Sequence, residues 1–257
     1  MLNFRNTNIC MTLGLILVLI IDRLAGLPLY VYAALFVIYS SLLIYGSCFI
    51  GSNFYFKVFC SAKTSNREIA ISFDDGPVPG NTAEILRILR EQEIEAAFFC
   101  IGSQVGKNGA LCRQMLDEGH VIGNHSYSHH FWFDLFASRK MLSDLRKMDN
   151  SLRLATGLTP RFFRPPYGVT NPNLKKAVYA GGYVPIGWNI RSMDTVVKNG
   201  EKLLEKASSR LKPGAIVLFH DTGSQTVSIL EEFISRVKDQ GYEIVRLDKL
   251  LKLEPYV

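Results

Sequence analysis

The chain has 257 residues, 48% of them apolar and 20% charged, with a formal net charge of +6. Abundant aliphatic and aromatic side chains exclude a disordered protein, and ordinary numbers of glycine (20) and proline (10) exclude a collagen-like one. Five cysteines, an odd count in a long chain, do not make a disulfide framework, and cations dispersed along helices give no expectation of a nucleic-acid partner.

Charge is unevenly placed. In residues 1–56 only Arg5, Asp22 and Arg23 are ionised, and residues 24–56 carry no charge. The stretch 29–50 is long enough, at about 1.5 Å per residue, to cross a hydrocarbon core of roughly 30 Å as a helix. Tyr30, Tyr32, Tyr39 and Tyr45 are polar for a span, but rings near its ends suit the interface. Residues 9–21 form a shorter apolar run, suited to a signal-peptide core or a barely sufficient span. No small-x-small cleavage site follows, so the expectation is a membrane hairpin turning at residues 24–28. Residues 1–56 are read as the anchor, 57–66 as a linker and 67–257 as the folded domain. Positive-inside counting sets Arg5, Lys57, Lys63 and Arg67 against Arg23 in the turn and favours a cytoplasmic domain. Long domains translocate largely regardless of charge, and an extracytoplasmic domain is the expectation taken forward.

From residue 68 the pattern alternates strand and helix. Residues 68–73 alternate apolar and polar and stop at Asp74-Asp75-Gly76-Pro77. A helix follows, with Asn81 and Glu84 spaced as a capping box. Six further strands are expected at 96–101, around 121–122, at 162–163, 183–188, 215–219 and 242–245. Helical patterns lie at 106–118, 137–154, 173–180, 200–211 and 227–240. Seven parallel strands over about 190 residues predict an α/β fold of distorted (β/α)7-barrel type, preceded by one or two transmembrane helices. Active residues are expected just past the strand C-termini.

The polar constellations fall there. Adjacent Asp74 and Asp75 point in different directions after a strand, so one can bind a cation while the other faces a water. His125 and His129, four residues apart, can converge on one ion, and Asp75 would complete a set of three that leaves room for water and substrate. His120 and His130 are expected to be structural or exposed. Arg164 is a fixed cation before a stiff Pro165-Pro166-Tyr167-Gly168 turn, whose peptide N–H groups could face an oxyanion or simply form a proline turn. His220 ends a very apolar strand, which demands a partner or a place at the barrel rim.

Together and in this order, Ser72 to Pro77, His125 to His129, Phe163 to Gly168 and Leu218-Phe219-His220 resemble the polysaccharide deacetylase family, the NodB-homology domain of carbohydrate esterase family four. The resemblance covers roughly residues 68–251. It implies a divalent metal, usually zinc with cobalt, nickel or manganese as alternatives, on Asp75, His125 and His129. It also implies Asp74 as general base, Arg164 holding that base, the Tyr167 peptide N–H as oxyanion donor and His220 as general acid. Leu218 would line the acetyl-methyl pocket, and Trp188 is expected to contact substrate. The fourth motif departs from pattern: Asp194 stands six positions after Trp188 and precedes Thr195, where tryptophan often follows. Asp194 is assigned the orienting of His220. The implied activity is hydrolysis of the N-acetyl group of an amino sugar in a glycan, releasing acetate. Two other readings are a deacetylase or deformylase of a lipid-carrier-linked sugar, and a catalytically idle glycan-binding protein. Oligomeric state stays open.

Overall fold

The computed structural model describes residues 2–257. Two apolar helices come first, α1 (Phe4–Ala25) and α2 (Leu29–Cys48). The first, expected as a marginal run, has 22 residues, about 33 Å of helix. Its turn into α2 is closed by Asp22, whose carbonyl accepts from Gly26 N–H and whose carboxylate accepts from Leu27 N–H. Tyr39 donates to Asn8 across the pair at 2.9 Å. Most side chains of both helices are exposed.

The rest of the chain runs β1 (Glu68–Asp74), α3 (Asn81–Glu91), β2 (Ala97–Cys100), α4 (Gly102–Lys107), α5 (Gly109–Asp117) and β3 (Val121–Asn124). It continues through α6 (Ser138–Thr156), β4 (Phe162–Phe163), α7 (Pro172–Gly181), β5 (Val184–Pro185), β6 (Ile190–Arg191) and α8 (Gly200–Ser208). Last come β7 (Ile216–His220), α9 (Ser224–Asp239), β8 (Glu243–Ile244) and α10 (Leu247–Leu251). All strand pairs are parallel, in the order β5-β4-β3-β2-β1-β7-β6. β8 pairs with the start of β1, where β2 has not yet reached it. This is the expected distorted (β/α)7-type barrel preceded by two apolar helices.

The strands are buried on both faces, so alternation along β1 sorts two interiors rather than core from solvent. Ile69, Ile71 and Phe73 pack under the helices with Phe98, Val217 and Phe219. Ala70 joins Ala97, Phe99, Phe162 and Ile216 inside the barrel. The Phe73 ring stacks on Phe98 at 5.0 Å and on Phe219 at 5.9 Å. Each such buried ring contributes about 2 to 3 kcal/mol.

Local readings needed correction in four places. Gly80, not Asn81, caps α3, with no side-chain cap bond, and Glu84 instead pairs with Arg87 at 2.7 Å. The single helix expected at 106–118 is two, broken at Asn108, whose φ of −124° leaves the helical region. The strand expected at 183–188 is only Val184–Pro185, and the separate β6 makes eight strands instead of seven. Residues 57–66 are not a free linker throughout. Phe59 bridges to Ile186 beside β5, and Ser61 bridges to Ala215 at the start of β7. This strap lies along the side where edge strands β5 and β6 do not pair with each other.

The helical pair is built onto the barrel. Phe4 N–H donates to Phe54 O at 2.9 Å. Gly46 is required because the Phe54 ring stands 2.2 Å from where a Cβ would be. Ile50, Phe54, Tyr55, Phe56 and Val58 share a buried cluster with Phe133, Leu145, Phe163 and Leu174.

His120, outside the catalytic motifs, is buried before β3. Its Nδ1 accepts from Ala96 N–H at 3.1 Å, and its ring stands edge-on to Phe98. Burial holds its pKa down at about 4, against the raising effect of Glu118. The folded protein therefore keeps this imidazole neutral where the unfolded chain protonates it. Its contribution is complete above about pH 6.5 and falls away towards pH 4, by on the order of 3 kcal/mol. Thermal unfolding in detergent should show a larger drop in Tm between pH 7 and pH 4.5 for wild type than for His120→Asn, which keeps an acceptor without the titration.

Candidate metal and catalytic site

The site lies where the strands end. Inward-facing Ser72 and Asp74 are the last such residues of β1, and Asp74 is in register with His220 on β7. Asp75 follows at a φ of 80°. That left-handed turn brings to one site two adjacent carboxylates that an extended strand would send to opposite faces, each within 3.8 Å of His125 Nε2. The next residue must be glycine, because the Asp221 carboxylate comes within 1.9 Å of where a Gly76 Cβ would stand.

Asp75 meets both expected histidines. Its Oδ1 lies 3.4 Å from His125 Nε2 and 3.3 Å from His129 Nε2. Ligand atoms of the three residues all fall within 4.8 Å of one another. Burial alone would raise the Asp75 carboxyl, but His125, His129 and His220 outweigh it and hold it at about 2. His125 Nδ1 lies 2.9 Å from the carbonyl of Arg164, which directs Nε2 to the cluster. Asp75 Oδ1 is buried and has no hydrogen-bond donor among the described residues. Two imidazoles and a carboxylate converging on an orphaned oxygen fit a divalent cation such as zinc.

The loop carrying the histidines is shaped from beneath. Asn124 Oδ1 accepts from Ser126 N–H, while its amide donates to Leu145 O and Asp149. Asp144 accepts from the N–H groups of Tyr127 and Ser128, and Ser126 Oγ accepts from His129 N–H. These bonds offset the left-handed φ of Ser126 (65°) and His129 (43°). Asn124, Asp144 and Asp221 carry no motif signal of their own in the sequence, and Ser72 enters only as the first residue of the Ser72 to Pro77 run. Asn124 and Asp221 each adjoin a motif histidine, the one signal that pointed to them.

Arg164 is fully buried at the end of β4. It donates to Asp74 Oδ1 at 2.7 Å, Ser72 Oγ at 2.9 Å and Gly187 O at 2.9 Å. Its guanidinium lies 4.0 Å from the Phe99 ring centroid. Asp74 is thus held by a cation, and its Oδ2 lies 3.8 Å from His125 Nε2.

Across the site, Asp194 takes both His220 donors. Oδ1 lies 2.7 Å from Nδ1, and Oδ2 accepts from the His220 N–H and the Thr226 hydroxyl, each at 2.6 Å. Burial would lower the His220 pKa, but Asp194, with Asp74 and Asp75, raises it. Thr195 in the usual tryptophan position does not disturb this pair.

Tyr167 has a φ of 57° and a half-exposed ring 4.7 Å from His129. Trp188 stands beneath the same turn, 2.6 Å from where a Gly168 Cβ would be. Leu218 is buried on β7, two residues before His220. His120 and His130 stay outside the cluster, His130 accepting from Trp132 N–H. Asp221 is the further buried acid. Burial pushes it up to about 7, against the Thr82 hydroxyl that donates to it at 2.6 Å.

Residues 61–186 match the polysaccharide deacetylase family. A peptidoglycan-N-acetylglucosamine deacetylase of Bacillus cereus is 36% identical over 195 residues, covering 72% of this chain and 88% of that protein. The peptidoglycan-N-acetylglucosamine deacetylase PgdA of Listeria monocytogenes is 33% identical over 189 residues, 74% of this chain, which spans only 40% of that longer protein. The chitin deacetylase structure from Colletotrichum lindemuthianum superposes with a TM-score of 0.73 at 27% identity, covering 78% of this chain and 95% of that one. By sequence match, fold and motif order, the chain belongs to the polysaccharide deacetylase family.

Proposed function

We propose that this protein is a membrane-anchored, metal-dependent deacetylase that hydrolyses the N-acetyl group of an amino sugar in a glycan, with its barrel outside the cytoplasm. The observation that carries the reading is the pairing on either side of the Asp75, His125 and His129 cluster: Asp74 held by Arg164, and His220 held by Asp194. One carboxylate placed to accept a proton and one imidazole placed to donate one are what amide hydrolysis needs. The relatives named for peptidoglycan deacetylation support a glycan of that class as substrate and an extracytoplasmic barrel. Two apolar helices of spanning length support the anchor.

A divalent cation bound by Asp75, His125 and His129 would supply Lewis-acid polarisation of the acetyl carbonyl and a bound water of lowered pKa. Asp74 takes the proton of the attacking water, with its orientation held by Arg164. The peptide N–H of Tyr167 offers a donor to the oxyanion that forms. His220 then protonates the sugar nitrogen as the carbon–nitrogen bond breaks, leaving acetate and a free amine. Asp194 keeps the donating nitrogen of His220 pointed away from itself, since it occupies Nδ1. Leu218 lines the recess for the methyl group, and Trp188 supports the turn against which the sugar rests. The complete set of acid, base and ligands speaks against an idle binding protein.

Four measurements check this reading. Purified full-length protein should release acetate from N-acetylglucosamine oligomers or peptidoglycan, lose that activity to a chelator and regain it with zinc. Asp74→Asn should lower kcat by about 100- to 10,000-fold, read on protein shown by circular dichroism to be folded, because the change also leaves the buried Arg164 charge uncompensated at a stability cost of about 3 to 5 kcal/mol. Absence of metal-dependent release on every glycan tried would overturn the proposal. The pH profile tests Asp194. The rate should fall as pH rises through the pKa of His220, because the acid must carry its proton. Asp194→Asn removes the strongest raising partner, so the alkaline limb should move to lower pH; an unmoved limb would assign the acid elsewhere. Sidedness is read by fusing alkaline phosphatase, which matures only outside the cytoplasm, after Val257. An active fusion is expected, and an inactive one with a fluorescent cytoplasmic counterpart would reverse the orientation.

A further inference from the structure

The same loop that closes the active site also holds the end of α2. Thr170, three residues beyond Tyr167, is buried, and donates from its N–H to Ser47 O and from its hydroxyl to Gly46 O, each at 3.0 Å. Gly46 and Ser47 are in the last turn of an apolar helix of spanning length. Asn171, next in sequence, donates to Asp134 O at 2.8 Å. The catalytic mouth and the emerging point of the helical pair are therefore joined by single hydrogen bonds, with no intervening domain.

Two features surround this junction. The loop after His129 exposes Phe131 (69%), Trp132 (56%) and Leu135 (73%) beside Tyr167, around a recess of about 290 Å³. Four large apolar side chains exposed together mark a contact surface rather than scattered surface apolars. A cleft of about 450 Å³, set where α1 begins and residues 53–57 pass α7, is lined by Arg5, Lys57 and Lys175. No acidic side chain lines that cleft, and none of the three cations makes an ion pair among the described residues. Aromatic rings, together with cations that make no ion pair although Lys57 lies over the Phe59 ring, suit an interface of lipid phosphates, which either leaflet presents at the end of a membrane-spanning helix.

We infer that the Phe131, Trp132 and Leu135 loop, with the cleft of Arg5, Lys57 and Lys175, seats the catalytic face on an anionic bilayer surface, so that the site works on glycan held at the membrane by a lipid. This rests on the reading of α1 and α2 as spans. The rings enter the headgroup region while the cations meet lipid phosphates. The mouth beside Tyr167 then opens along the bilayer surface, within reach of a sugar attached to a membrane lipid.

The chain has two tryptophans, which makes the seating measurable. Full-length protein is reconstituted in vesicles of phosphatidylcholine and phosphatidylglycerol carrying spin-labelled lipid. Headgroup-level labels should quench a tryptophan signal that is missing in Trp132→Phe, and phosphatidylglycerol should strengthen that quenching. Protein that fails to float with vesicles after a carbonate wash overturns the anchor and this inference together. Protein that floats with Trp132 unquenched overturns the inference alone and leaves the deacetylase reading in place. In the second arm, Trp132→Ser with Leu135→Ser should slow acetate release from an N-acetylglucosamine oligomer conjugated to phosphatidylethanolamine in the vesicles by about tenfold or more, through lost local concentration. Its rate on the free oligomer should be unchanged. Equal losses on both substrates would make the loop a sugar platform and overturn the membrane assignment.

Discussion

The buried guanidinium of Arg164 is the constraint around which the barrel and its site are arranged. A fully buried cation is tolerated only if its charge is paired and its donors are satisfied. Asp74, Ser72 and Gly187 do this from three directions, and the Phe99 ring covers one face of the fork. Those partners come from β1, from the residues after β5 and from β2, so the network joins parts of the sheet that are distant in sequence. Removing one partner of such a pair costs about 3 to 5 kcal/mol by leaving the other charge uncompensated. The group that aims the proposed base thus also holds the barrel mouth together, and position at the site is coupled to stability.

A second constraint is backbone strain at the motif loops. Asp75, Ser126, His129, Tyr167 and Met193 all have left-handed φ although none is glycine. Conformations of this kind cost about 1 to 3 kcal/mol each and persist where surrounding bonds over-determine them. Asn124 and Asp144 supply those bonds beneath the histidine loop, and Ser126 closes it. The buried sheet supplies the stability from which this strain is drawn, which is why five such residues can gather at one end of it.

The junction between the helical pair and the barrel changes how the two parts are understood together. Composition divides the chain into an uncharged stretch and a charged one, and that division invites a picture of an anchor, a tether and an enzyme. The packing of Phe54, Tyr55 and Phe56 beneath Phe163 and Leu174, with the bonds from Thr170 to the end of α2, removes most of the tether. Residues 59–62 then serve as a strap beside the open edge of the sheet. The orientation of the site relative to the helical pair is a consequence of these contacts.

The amino-acid sequence alone determined the fold class and which motifs stand together at the strand ends. Strand–helix alternation is a local pattern, and the motifs sit at strand ends because parallel sheets place loops there. Asp75, His125 and His129 meet as their spacing and order implied, and Asp194 reaches His220 despite the altered residue beside it. What the sequence could not decide were features made by distant contacts. The cap of α3 went to Gly80 because the chain enters that helix from a turn whose geometry overrides the local propensity of Asn81. Short β5 and β6 carry too few residues for periodicity to register. Apart from the local Asn124–Ser126 bond, the roles of Ser72, Asn124, Asp144 and Asp221 depend on partners 16 to 145 residues away. No local pattern records such distances, because a polar side chain reads the same in sequence whether it ends in water or beneath a catalytic loop.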